Sequence, residues 1–133
     1  MSDKYMNIEL LVKKMSDDND HCSLTDFEKV AVNTGDTVQQ LFVKTAIYFA
    51  KAFMAEEIDF DCADGALNDL FSIMITHSHK TDEDFVDSIA FAIYDAFDAG
   101  EYSPLKDEDP VKTRTIPQLQ YIFEELDKNG FVV

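Results

Sequence analysis

The chain has 133 residues, with 27 Asp and Glu against 11 Lys and Arg, for a net charge of −16 and an isoelectric point near 4.2. That length can bury a core without metal or disulfide staples, and an apolar share of 46%, with 11 Phe and 5 Tyr, excludes a disordered polymer. The anionic field repels nucleic acid and anionic membranes and steers basic partners inward, and the apolar stretches are too short and too often broken by Lys and Asp to span a bilayer.

Helix signals recur in chain order. Tyr5, Ile8, Leu11, Val12 and Met15 form an apolar stripe that predicts a helix over 3–16, and the run from Ser16 to Asp20 predicts a solvated loop. Thr25-Asp26-Phe27-Glu28 fits a capping box, opening a short helix that Gly35 can end. The third helix, 37–55, is apolar around half its circumference or more, through Val38, Phe42, Val43, Ala46, Ile47, Phe49, Ala50, Phe53 and Met54. A helix so widely apolar should be the central strut of a bundle. Asp59 or Asp61 can cap a fourth helix that ends near Thr76-His77. Thr81-Asp82-Glu83-Asp84 resembles a second capping box, opening a fifth helix with Phe85, Ile89, Ile93 and Phe97 in register and Gly100 as its C-cap. Residues 101–114 read as a polar loop. A last helix begins near Thr115 with Pro117 in its first turn and ends at Asn129-Gly130, where Phe131 is placed to fold back on the last turn. No segment alternates as a strand does. The expectation is an all-α chain: one domain, 1–133, folded as a compact bundle of five or six helices.

Met1-Ser2-Asp3-Lys4-Tyr5 is too polar for a signal peptide, so a cytoplasmic protein is expected. Cys22 and Cys62 lie far apart with no CxxC, which suggests reduced thiols, with a bridge between them as the alternative. The run Asp59-Phe60-Asp61-Cys62-Ala63-Asp64-Gly65 does not fit a calcium loop, because Ala63 stands at its fifth position, Gly one place late and Leu70 at its twelfth. His77 and His79 can be set against a metal site, but they have no third Cys or His nearby, and a place at a helix end suits them electrostatically. Neither a phosphate loop, a nucleophile elbow nor a Glu-x-x-His pair is present. We therefore expect no enzyme, no cofactor and no metal.

Charge distribution is the informative part. Between Asp59 and Asp109 fourteen acids face only Lys80 and Lys106, whereas the segment before Asp59 sets six lysines against ten acids. On a helical wheel Asp84, Asp87, Ser88, Asp95 and Asp98 share one side of the fifth helix, with Phe91 among them and Tyr94 at the edge. An aromatic ringed by carboxylates suits a basic partner; alternatively Phe91 packs beneath another helix. The expected binding residues are Glu56, Glu57, Asp59 and Asp61 in the turn, Asp84, Asp87, Phe91, Tyr94, Asp95 and Asp98 on the fifth helix, and Glu101, Tyr102, Asp107, Glu108 and Asp109 after it.

Two stretches carry a family likeness. Residues 46–60, from Ala46 through Phe49, Phe53, Glu56 and Glu57 to Phe60, resemble the helix, acidic turn and helix of colicin D-type immunity proteins. Residues 91–102, from Phe91 through Tyr94, Asp95, Phe97 and Asp98 to Tyr102, are similar to a segment of small bacterial immunity proteins, including those of contact-dependent growth inhibition. The resemblance implies a cytosolic, helical, acidic inhibitor that occupies the basic active site of a cognate toxin, commonly a nuclease domain; we expect a monomer or weak dimer that touches neither nucleic acid nor membrane. A nucleic-acid mimic that blocks a DNA-binding enzyme is the first alternative, and a small metal-binding or acid–base enzyme the second.

Overall fold

The computed structural model describes residues 7–17, 21–84, 88–102 and 109–130. Those residues form six α-helices and no strand: α1 (Ile8–Ser16), α2 (Leu24–Thr34), α3 (Val38–Met54), α4 (Phe60–Thr81), α5 (Ile89–Asp98) and α6 (Ile116–Lys128), with a π-helical turn, Val111–Thr115, running into α6. The fold is the expected all-α bundle. No described helix is long and apolar enough to cross a membrane. Cys22 is buried and Cys62 is exposed, and no disulfide joins them.

α3 is the strut. Leu41, Phe42, Thr45, Ala46, Ile47, Phe49, Ala50 and Ala52 are all buried on it, and α1, α2, α4 and α5 pack around it. Thr45 is tolerated there because its buried hydroxyl donates to the Leu41 carbonyl at 2.7 Å and so has its partner. At the far end of α3 the rings of Phe53, Phe60 and Phe97 cluster at centroid distances of 5.2–6.1 Å. They join the end of α3, the start of α4 and the end of α5.

Local chemistry moves several boundaries from their expected places. α2 is opened by Ser23, two residues before the expected Thr25: the Asp26 amide donates to the Ser23 hydroxyl at 3.4 Å, and the Ser23 amide donates to the Asp26 carboxylate at 2.9 Å. That box also lets Asp26 meet Lys14 at 3.0 Å, tying α1 to α2. α4 does not stop near His77. Thr81 donates to the His77 carbonyl at 2.9 Å, Lys80 reaches Glu28 at 2.7 Å, and His79 and Lys80 sit at the negative end of the helix. Asp82 then takes a left-handed conformation (φ 60°), with its amide bonded to the Ser78 carbonyl at 2.8 Å. The stretch expected to open the fifth helix therefore closes α4. α5 begins at Ile89, capped by the Ser88 hydroxyl, which accepts from the Phe91 amide at 3.1 Å.

Gly100 matters for a reason other than the expected C-cap. The capping residue is Ala99, in a right-handed conformation. A Cβ on Gly100 would instead lie 2.2 Å from the Thr115 hydroxyl and 3.0 Å from the Phe60 ring. Thr115 is fully buried, and its hydroxyl donates to the Ala96 carbonyl at 2.8 Å, which anchors the π-turn and α6 onto α5. The segment expected as loop up to Arg114 is thus partly helical. Pro117 does lie in the first turn of α6, and Gly130, at φ 74°, marks its end. Phe131 lies outside the described residues, as do Tyr5 and Phe85.

Gly100→Ala forces a methyl into the Thr115 contact, and overpacking of this kind costs about 1–3 kcal/mol. A urea unfolding curve should show a lower midpoint at unchanged slope. An unshifted midpoint would show that the contact is not tight.

Candidate functional site

The site is built on two antiparallel helices. Asp64, in the first turns of α4, faces Asp98 at the end of α5, while Phe71, two turns further along α4, meets Tyr94 and Phe91. Phe71 stands edge-on to Tyr94 with centroids 4.1 Å apart, and Phe91 lies about 6 Å from both. All three rings are half-buried, and those of Phe91 and Tyr94 pack against the core. Phe91 is thus neither the fully exposed anchor nor the core residue that the sequence allowed. The result is an aromatic strip that runs into a carboxylate cluster at one end.

The cluster consists of Asp64, Asp98 and Glu101, with Asp61 and Asp95 beside it. Loss of hydration, then the charge of Asp64, then the hydrogen bond and charge of Asp98 push the Glu101 carboxyl up to about 7. Asp64 is also raised, first by burial and then by the charges of Asp98 and Asp61, with the Glu101 and Asn68 hydrogen bonds acting the other way. The Tyr94 phenol is raised by burial and then by Asp98, Glu101, Asp64 and Asp95. Among the described residues the ion pairs lie elsewhere: Lys14–Asp26, Lys44–Asp36, Lys80–Glu28, Lys128–Glu125 and His77–Glu83.

The two helices place their acids differently. On α4, Asp59 caps the start, accepting from the Cys62 amide at 2.8 Å, and Asp61 lies in the first turn. Both meet the positive end of the helix dipole. On α5, Asp95 and Asp98 lie in the last turn with no basic residue there, against the negative end. These two carboxylates are locally unfavourable.

Most of the expected binding residues gather at this end. Asp59, Asp61, Asp95, Asp98 and Glu101 are exposed, and Tyr102 is 74% exposed beside them. Glu56 and Glu57 occupy the turn just before α4, Glu56 in a left-handed conformation (φ 61°) that lets the Glu57 amide reach the Ala52 carbonyl at 2.9 Å. Asp84 does not join them. It lies beyond the far end of α4, on the order of 25 Å from Asp64 at 1.5 Å per helical residue, where it lines a separate groove of about 370 Å³ with Thr37, Val43 and Ser88. The shared face from Asp84 to Asp98 is corrected accordingly, because α5 starts only at Ile89. Asp109 is exposed just before the π-turn, where its carboxylate accepts from the Val111 amide at 3.2 Å. Asp87, Asp107 and Glu108 lie outside the described residues. Sequence reasoning missed Asp64 and Phe71, whose only signal was their seven-residue spacing on one face of α4.

Among the described residues no group of three or more His, Cys, Asp or Glu side chains is disposed to hold a metal ion. His77 has its Nε2 3.1 Å from a Glu83 oxygen and its ring edge on Phe42, while His79 is exposed.

Asp98→Asn removes the largest charge acting on Tyr94, so the phenol should titrate closer to its ordinary value of 10 than in the wild type. Carbon-13 NMR of the tyrosine Cζ resonances measures this directly. A wild-type Tyr94 titrating at or below 10, or one indifferent to the substitution, would refute the charge contacts.

No family model matches the chain, and neither a curated protein nor a solved structure matches it.

Proposed function

We propose that this chain is a non-enzymatic binding protein whose α4–α5 face receives a cationic protein surface, in the manner of an immunity protein that covers the active site of a basic toxin or nuclease domain. The observation that carries the reading is the electrostatic mismatch at the end of α5. Asp98 and Asp95 oppose the helix dipole, and with Asp64 they crowd Glu101 strongly enough to hold a proton on it near neutral pH. Like charges kept together at a local cost are characteristic of interaction sites, because an arriving Lys or Arg relieves the repulsion and the dipole clash together.

The aromatic strip supports the same reading. Phe71, Phe91 and Tyr94 offer apolar area beside the acids, and the exposed Tyr102 adds a further ring. Anchors of this kind slow dissociation, while the surrounding carboxylates speed encounter and set register. The resemblance of residues 46–60 and 91–102 to immunity proteins supports a toxin domain as the partner, since both stretches contribute to this end of the molecule. A cytoplasmic, monomeric or weakly dimeric inhibitor is part of the proposal.

Neutralising Asp95→Asn, Asp98→Asn and Glu101→Gln together should lower the association rate for a basic toxin or nuclease domain that binds the wild type by about tenfold or more at low salt, and flatten its salt dependence. Circular dichroism should show the helices intact. Surface plasmon resonance with unchanged rates across the same salt series would remove the basis of the reading.

A further inference from the structure

α6 is attached to the molecule differently from the other helices. Among the described residues it packs on α5 and on the π-turn that leads into it, whereas α3 is gripped by α1, α2, α4 and α5 at once. It buries Leu119 and Leu126, with Ile122 and Phe123 partly buried beside them, against eight buried residues on α3. α5 and α6 run antiparallel. Thr115 lies at Ala96, near the end of α5, and Ile122 and Leu126 share a groove with Ile89 and Ala92, near its start.

The two ends of this interface differ. At the end of α5 the Gly100 amide bonds to the Phe97 carbonyl at 2.9 Å, in place of the Ala96 carbonyl that α-helical pairing would give it. The Thr115 hydroxyl donates to that Ala96 carbonyl at 2.8 Å, so a side chain of the π-turn satisfies a carbonyl that the helix end leaves open. Gly100 makes room for this bond, since a Cβ there would stand 2.2 Å from the Thr115 oxygen. At the opposite end a groove of about 490 Å³ runs between Ile89 and Ala92 on α5 and Ile122, Glu125 and Leu126 on α6, with the exposed Tyr121 on its rim. The interface is close at Thr115 and open at Ile89.

We infer that the π-turn and α6 form a detachable cover on α5, pinned by the Thr115–Ala96 hydrogen bond, which is released as a unit while α1 to α5 stay folded. Release gives up one interface and returns the conformational freedom of one segment, which offsets the lost contacts. The rest of the core is kept: Leu11, Phe27, Phe49, Leu70 and Phe97 are fully buried on α1 to α5, and the rings of Phe53, Phe60 and Phe97 meet on α3, α4 and α5. What release uncovers is the face of α5 that carries Ile89, Ala92 and Ala96.

Native-state hydrogen exchange of the whole chain in rising urea, with no partner present, tests the cover. In the wild type the amides of 119–126 should open with a shallower urea dependence than those of 45–50, because the slope follows the surface exposed on opening. Two variants separate the units. Val30→Ala empties a fully buried site on α2 and weakens the closed and the released forms alike. It should therefore lower the protection of 45–50 by about tenfold or more and leave that of 119–126 unchanged. Thr115→Val keeps the shape of the side chain but strands the Ala96 carbonyl in the closed form alone, so 119–126 should lose protection on the order of tenfold. One common slope for both sets of amides would overturn the inference without recourse to any variant. So would α6 amides that fall with Val30→Ala, or that are indifferent to Thr115→Val. The cover does not rest on the partner reading: a chain that passes this test and fails to bind a basic domain would refute only that reading.

Discussion

The three-ring cluster of Phe53, Phe60 and Phe97 is the constraint from which the rest of this surface follows. Phe97 is fully buried, and with Phe53 and Phe60 it pins the last turn of α3, the first turn of α4 and the last turn of α5 to one point. Once those turns are joined, Asp61 and Asp64 cannot stand apart from Asp95, Asp98 and Glu101. Magnitudes decide which effect prevails. Burying a Phe side chain is worth about 1.5–3 kcal/mol, whereas repulsion between partly solvated carboxylates is on the order of 1 kcal/mol per pair. The core wins, and the acids accept the neighbours that it imposes.

How much of this could be read in advance depended on the range of the interaction. α3 was legible because an apolar pattern around most of a helix admits one place for it, at the centre. Gly35 announced the end of α2 by its left-handed conformation, a requirement local to one residue. The end of α4 was hidden because its last turn is polar: Lys80 is held by Glu28, fifty-two residues away, and no local spacing shows that pairing. Gly100 looked like a cap and is a close approach to Thr115, again a contact across the fold. The π-turn has no propensity signature of its own.

The site divides along the same line. Asp95, Asp98 and Glu101 were legible from one segment. Asp64 and Phe71 were missed because only the antiparallel packing of α4 on α5 brings them there, and Asp84 was wrongly placed on the fifth helix face because helix periodicity was carried past the real start at Ile89. A wheel extends a helix indefinitely; a serine cap at Ser88 stops it. Where the chain breaks its own local rules, with acids at the negative end of a helix, the interaction surface is proposed.

The central claim is that packing holds these carboxylates in repulsion, and the dependence of thermal stability on salt at pH 8 probes it most directly. Dissolved ions screen exposed charges within about 10 Å at 0.1 M, so sodium chloride should raise the melting temperature of the wild type by more than that of Asp64→Asn, Asp98→Asn, Glu101→Gln combined. Identical salt responses of the two proteins would mean that the cluster stores no repulsion, and the account would fail.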